Sequence, residues 1–427
     1  MTSLGDEAIV APLLADWRSV TFGQCARLIR DSVSPSPKGD TPYVGLQHIG
    51  QGTLSLLSHG LESDITSTKT TFRLGDTLFG KLRPYFRKVI RAPFDGICST
   101  DIWVVRPTEG VDQDFLYYIM ASQDFVDFAT AGSEGTRMPR AQWEHVSRYE
   151  VSLPSHREQQ AIAHVLRTLD NKIELNHRIN ETLEEMARTL FKSWFVNFDP
   201  VRAKTEGRWQ PGQSLPGLPA HLYNLFPDRL VPSELGKVPE GWEVGTVGDY
   251  YRVTMGQSPP GRTYNDVGDG LPFFQGCTDF GFRYPTKRRF CTAPSRITAP
   301  QDTLVSVRAP VGDINMAWET SCIGRGVAAL RHRSGSSSLT YYSALTIQHE
   351  IQQYEHTGTV FGAITKKQIM SLPTVEPPAV VIEQFGRYVL PLDQLIRQAT
   401  AQVRALTSLR DALLTQLVSG KVQVGVN

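Results

Sequence analysis

The forty residues from Glu158 to Asn197 contain neither proline nor glycine, which limits what the chain can build around them. Apolar side chains recur there at three- and four-residue steps: Ile162, Leu166, Leu169, Ile173, then Leu183, Ala187, Leu190 and Trp194. That period draws one stripe along a helix, while Glu174, Arg178, Glu181, Glu185 and Arg188 fall mostly elsewhere. Around Asn176 and Asn180 the stripe turns polar for one turn, as coiled-coil seams do where register is fixed. At ~1.5 Å per residue such a helix is a rod of roughly 60 Å and needs a partner along its length. The partner is expected near the far end of the chain. Ile382, Phe385, Val389, Leu392, Ile396, Ala399, Val403, Leu406, Leu413 and Leu417 repeat the spacing, and only Arg410 breaks it. Pro391 should kink that helix or end its first turn, and Gly420 suits its C-cap. Two ordinary core helices are the plainer reading, but both runs far exceed the usual three turns.

At 427 residues the chain is too long for one core, so two or three domains are expected. Its 40% hydrophobic and 20% charged content suits a soluble protein. The first residues carry no basic stretch, and the apolar run Ile9–Ala15 is short and broken by Pro12. Neither a signal peptide nor a membrane span is expected, and the expected location is cytoplasmic. Five scattered cysteines without a CxxC pair suggest neither a disulfide frame nor a zinc site. A net charge of +1 says nothing of partners until it is mapped locally.

Two segments flank the first helix, about 1–155 and 240–378, and they correspond. Asp76-Thr77-Leu78 matches Asp302-Thr303-Leu304 at a shift of 226. Leu82-Arg83-Pro84 matches Val307-Arg308-Ala309-Pro310 with one residue inserted. Trp17 matches Trp242 (225), Cys98 matches Cys322 (224), and Glu158-Gln159 matches Glu383-Gln384 (225), so one long helix falls on the other. The chain thus reads as a tandem duplication of a mixed globular head followed by a helix. The expected architecture is α+β: two similar heads separated by a long antiparallel two-helix coiled coil, with pseudo-twofold symmetry. Boundaries are expected at 1–155, 156–199 (first helix), 200–241 (a Pro/Gly-rich linker or wrap), 242–378, 379–420 (second helix) and 421–427 (tail).

Each head gathers cations. Between Lys69 and Arg106 eight basic residues face three acids, and between Arg283 and Arg308 six face one, each a local excess of +5. Aromatics are interleaved: Phe79, Tyr85 and Phe86 in the first, Phe282, Tyr284 and Phe290 in the second. Two spaced basic patches suit a duplex backbone, although a solvated basic face gives the same signal. Phosphate contact is expected from Lys81, Arg87, Lys88, Lys287, Arg288 and Arg289, and from Arg137, Arg140, Lys366 and Lys367 before each helix, at a shift of 226 from Arg140 to Lys366. Arg83, Arg283 and Arg308 are further candidates, while Asp76 and Asp302 read as turn formers.

Catalytic signatures are missing from the sequence. No phosphate loop ends in GK[ST], and no HExxH or GxSxG occurs. The Asn/Asp-Pro-Pro-aromatic motif of an amino-methyltransferase is absent; Asp199-Pro200-Val201-Arg202 comes nearest. Asp170-Asn171-Lys172 resembles the end of a nuclease triad but lies on the long helix and reads as structural.

The chain resembles the DNA-specificity subunit of type I restriction–modification systems. Pro42–Ile49, Phe72–Tyr85 and Cys98–Ile102 look like that family's target-recognition domain. Leu153-Pro154, Glu158-Gln159 and the helix ending FKSWFVNFDPVRAK look like its central conserved region, and Ser306–Asp313 with Cys322-Ile323-Gly324-Arg325-Gly326 fit a second recognition domain. Pro377-Pro378 stands where the pattern has Leu-Pro, and Pro391 interrupts the second helix. The resemblance implies a non-catalytic protein in which each head binds half of a split double-stranded DNA target and the paired helices set the spacer. It implies docking of two modification subunits, which hold S-adenosylmethionine and methylate adenine, and of restriction subunits that use ATP and Mg. No cofactor is expected on this chain. The helix face carrying Glu174, Glu181, Glu184 and Glu185 is a candidate docking surface. A coiled-coil scaffold that binds only proteins is the alternative, and a nuclease or methyltransferase with unseen motifs the more distant one.

Overall fold

Both apolar runs form helices of forty residues, His156–Phe195 and Ala379–Val418, in a computed structural model that describes residues 17–356 and 362–424. The run Ile9–Ala15 and the last residues of the tail lie outside the described residues. The first helix opens on a capping box: the Glu158 amide donates to Ser155 Oγ (3.3 Å) and the Ser155 amide to Glu158 Oε2 (3.2 Å). Asn176 and Asn180 are buried within it, and Asn176 Nδ2 donates to the Lys172 carbonyl (2.9 Å). The second helix runs through Pro391 without ending there. Pro391 and Arg387, whose carbonyl it leaves unbonded, both face solvent, so water can satisfy that oxygen. Gly420 follows in the left-handed region (φ +73°), as a C-cap glycine should.

The chain divides into two compact units, and the cut passes through both long helices. One unit takes residues up to His177 together with those from Thr400 onward; the other is Arg178–Ala399. The first holds a four-stranded antiparallel sheet in the order Ala26–Ile29, Ile102–Pro107, Thr77–Gly80, Val89–Arg91. The second repeats it: Tyr251–Met255, Val327–His332, Thr303–Ser306, Ile314–Met316. Each unit also holds a five-stranded sheet with one parallel pair, Pro42–Val44 beside Gly96–Cys98 and Leu271–Phe274 beside Ser321–Ile323. A two-stranded ladder closes each head, Arg18–Thr21 on Glu150–Leu153 and Glu243–Thr246 on Pro373–Glu376.

Hydrogen bonds fix the correspondence more finely than the sequence does. The Ser99 amide bonds the Val44 carbonyl and the Gly324 amide bonds that of Phe274, so Cys98 is equivalent to Ile323 and not to Cys322. The Ala141 amide bonds the Lys81 carbonyl and the Ile364 amide that of Val307; the Arg83 amide bonds Pro139 and the Ala309 amide bonds Gly362. Arg83 therefore matches Ala309 at 226 without an insertion, and Arg140 matches Ala363 instead of Lys366. The long helices match at 223, with 156 on 379 and 195 on 418. That offset lays buried Ile162 on Phe385, Leu166 on Val389, Trp194 on Leu417 and Ala187 on Arg410. Glu158-Gln159 and Glu383-Gln384, two residues out, are not equivalent.

Each core takes residues from both helices. In the first unit Ile162, Ala163 and Leu166 cluster with Leu414 and Leu417, over Phe115, Phe125 and Trp103 of the head. In the second, Ala187, Phe191 and Trp194 cluster with Ile382, Phe385 and Val389. The Pro/Gly-rich segment that follows the first long helix carries regular structure: a helix at Asp199–Thr205 and a hairpin of Leu230–Ser233 with Gly236–Pro239. It is held by buried Trp209, Leu222 and Phe226, with Phe226 packed edge-on against Trp194 at 5.2 Å.

Candidate nucleic-acid interface

In the first head the strand Thr77–Gly80 delivers Lys81 into a loop where Arg83 and Arg87 take left-handed backbone (φ 52° and 48°) around Pro84. The segment 134–141 crosses it and is stitched on by the Arg83–Pro139 and Ala141–Lys81 backbone bonds (2.7 and 2.9 Å). Four expected contact residues thus come together: Lys81, Arg83, Arg137 and Arg140. The Arg83 guanidinium donates to the Arg137 carbonyl (3.4 Å), and Arg140 pairs with Asp101 (2.9 Å). Lys81 and exposed Arg137 have no ion pair among the described residues. Arg87 is a correction. It turns inward, donates to the Ala121 carbonyl (2.7 Å) and pairs with Asp411 (3.2 Å), so its charge is spent inside the unit. Lys88 is half-buried, donates to the Leu46 carbonyl (2.6 Å), and burial lowers its pKa.

The second head supplies the larger correction. Arg283, expected on the surface, is 1% exposed. It pairs with Asp393 (2.6 Å) and Glu184 (3.3 Å) and lies over the Tyr341 ring at 4.4 Å. Desolvation works against the buried cation, but Asp393 and the tyrosines outweigh it and hold the guanidinium charged. Tyr342 and Ser338 also donate to Asp393, and Tyr341 to Glu184. Burial raises the Glu184 carboxyl despite Arg283, so Glu184 belongs to this cluster and not to a docking face. The first unit builds a counterpart. Tyr118 donates to Asp170 (2.8 Å), the helix-equivalent of Asp393, and Arg410 closes the pair (3.0 Å). Arg410, the apparent break in the stripe, is therefore a buried counter-ion.

Lys287, Arg288 and Arg289 are exposed, but each has an acid: Glu319 (2.5 Å), Asp279 (2.5 Å) and Asp266 (3.6 Å). Arg308, Lys366 and Lys367 are exposed with no ion pair among the described residues. Backbone bonds of residues 307–309 to 362–364 bring Arg308 beside the short helix Lys366–Met370. Asp76 and Asp302 form turns as expected, accepting from the Arg73 and Ala299 amides, and each also anchors an arginine of the neighbouring strand, Arg106 and Arg331.

Glu174, Glu181 and Glu185 face outward on the first long helix. Glu181, Glu185 and exposed Met186 border a groove of about 1260 Å³ whose other wall is Ala203, Leu215 and Leu218. Burial pushes the Cys25, Cys277 and Cys322 thiols up to about 11 and that of Cys98 to about 12, which leaves little thiolate at neutral pH. Among the described residues no His/Cys/Asp/Glu group could hold a metal, and no helix is long and apolar enough to cross a membrane.

Residues 20–185 match the family described as the type I restriction modification DNA specificity domain. Along 96% of its length the chain is 26% identical to the specificity subunit assigned to the MjaX type I restriction enzyme of Methanocaldococcus jannaschii, covering 94% of that protein. To the HindI specificity subunit of Haemophilus influenzae it is 24% identical, over 96% of this chain and 100% of that one. Residues 20–185 thus carry a type I DNA specificity domain, and the chain is similar along nearly its whole length to type I specificity subunits. A crystal structure of the S subunit of M. genitalium shares the fold, with a TM-score of 0.56 at 16% identity over 96% of this chain and 97% of that one. A specificity subunit is the non-catalytic, DNA-recognising part of its system, which accords with cationic loops placed on glycine- and proline-shaped turns.

Proposed function

We propose that this subunit reads a split DNA target, one half with each head, and that its paired long helices set the gap. The observation that carries the reading is the repeat of one scaffold in two units that share both helices. Each has the same order in its four-stranded sheet and the same crossed pair of segments, with cations that have no ion pair among the described residues, Lys81 and Arg137 in one, Arg308, Lys366 and Lys367 in the other. The start of the first helix packs with the end of the second in one unit, and the reverse holds in the other; this is antiparallel pairing, and with the repeat it supports a tandem duplication. Outward Glu181 and Glu185 beside the apolar groove favour docking of modification subunits there, with restriction subunits joining the assembly. S-adenosylmethionine, ATP and Mg belong to those partners.

The test is co-expression with a type I modification subunit in a host without adenine methylation, followed by genome-wide mapping of N6-methyladenine. Two short specific halves around a fixed gap are expected. A continuous motif would overturn the two-headed reading, and no methylation from an assembled, active complex would favour a protein scaffold.

A further inference from the structure

The two heads build one turn in the same way and dress it differently. In the first head the Ser99 amide bonds the Val44 carbonyl, the Ile102 amide closes the turn on Ser99, and the Lys81 amide bonds Asp101 (all 2.9 Å). In the second the same three bonds run from Gly324 to Phe274 (2.9 Å), from Val327 to Gly324 (3.0 Å) and from Val307 to Gly326 (2.9 Å). The backbone is therefore shared, but Thr100 of one head stands where the other has Arg325, and Asp101 where it has Gly326.

The second head pins this turn further. The Gly326 amide bonds the Gln275 carbonyl (3.1 Å), and the Arg325 amide bonds Ser258 Oγ (3.2 Å). A Cβ on Gly326 would stand 2.5 Å from the Gln275 carbonyl oxygen, a backbone atom, so only glycine allows this approach. Arg325 is exposed, and among the described residues its guanidinium has neither an ion pair nor a hydrogen bond. Asp101, which in the first head occupies Arg140, has no acidic counterpart here. Arg308 follows the Val307–Gly326 bond directly and supplies a second exposed cation.

A pinned turn that carries an exposed guanidinium fork can read sequence, since a bidentate arginine matches O6 and N7 of guanine in the major groove. A scaffold common to two heads that differs at this position is what unlike half-sites require. We propose that Arg325 reads a guanine in the half-site of the second head, with Arg308 beside it on the phosphate backbone. The assignment rests on the split-target reading.

The test binds the full chain, assembled with a type I modification subunit, to its motif and to duplexes with each base pair replaced in turn. In the wild type, replacing that guanine lowers affinity about ten- to a hundredfold. In Arg325→Ala that penalty collapses to about twofold or less while penalties in the other half persist, which also reports an intact fold. Arg325→Gln moves the preference at that position from guanine towards adenine, a gain that a misfolded protein cannot give. If Arg325→Ala weakens every duplex equally with its penalties unchanged, Arg325 is a phosphate ligand and the assignment is wrong. A wild-type complex with no base preference in either half would instead sink the split-target reading, and this assignment with it.

Discussion

Replacing Asp393 by alanine strips the buried Arg283 guanidinium of its nearest counter-ion and should destabilise the second unit severely. Removing one partner of a buried pair costs about 3–5 kcal/mol. Glu184 still stands 3.3 Å from the guanidinium, which places the electrostatic loss near the lower figure. Tyr342 and Ser338 lose their shared acceptor as well, adding up to about 1 kcal/mol each. With about 2–4 °C of melting temperature per kcal/mol in a domain of this size, the midpoint should fall by roughly 10 °C. Differential scanning calorimetry of the full chain reads it. Arg283→Met combined with Asp393→Asn removes the buried cation with its nearest acid, and Glu184, whose carboxyl burial already pushes up, can take a proton, so the double variant should recover part of the loss. A single variant that melts within about 2 °C of wild type, or a double variant worse than the single, would show that the cluster does not hold the unit together.

Exposed cations without partners should matter more to DNA than paired ones: Lys366→Glu with Lys367→Glu should weaken duplex binding and flatten its salt dependence more than Lys287→Glu with Arg288→Glu, as titrations at several salt concentrations will show. Glu62 accepts from Thr41 Oγ1 and the Ser36 amide, which lowers its pKa, so its stabilisation is present above the usual 4.5 and is lost as pH falls through the lowered value. Melting of Glu62→Gln should accordingly lie below wild type at neutral pH and converge with it in acid. Gly326→Ala should lower the melting temperature by several degrees, because the added Cβ collides with backbone at Gln275, whereas Gly207→Ala, with open space around it, should cost only its φ strain.

The long helices and the likeness of the two flanking segments were legible because they depend on spacing, which one sequence displays in full. The offsets were not. The true shift is 226 at Lys81–Pro84 and 223 along the helices, because the chain shortens by three residues between them, and a chance Glu-Gln pair at 225 hid the step. Charge told even less. Lys81, Arg83, Arg137 and Arg140 do converge, but Arg283 reads in sequence like its basic neighbours and is buried, because its acids come from helices a hundred residues away on either side. Arg410 misled in the opposite sense: a cation on an apolar stripe looks like a flaw until Asp170, 240 residues earlier, is placed against it.

The two guanidinium clusters also bear on how the halves of this chain recognise each other. Asp170 and Asp393 occupy one position in the repeat, yet the first takes its cation from the second long helix and the other from its own head. The position equivalent to Arg410 in the first helix is Ala187, too short to answer any carboxylate. Two copies of the first half would leave each Asp170 facing Ala187 without a counter-ion, while two copies of the second would crowd Arg283 and Arg410 towards the same Asp393. Expressed separately and mixed, the halves should prefer each other over themselves, so the pairing chemistry itself sorts for two different heads in one particle.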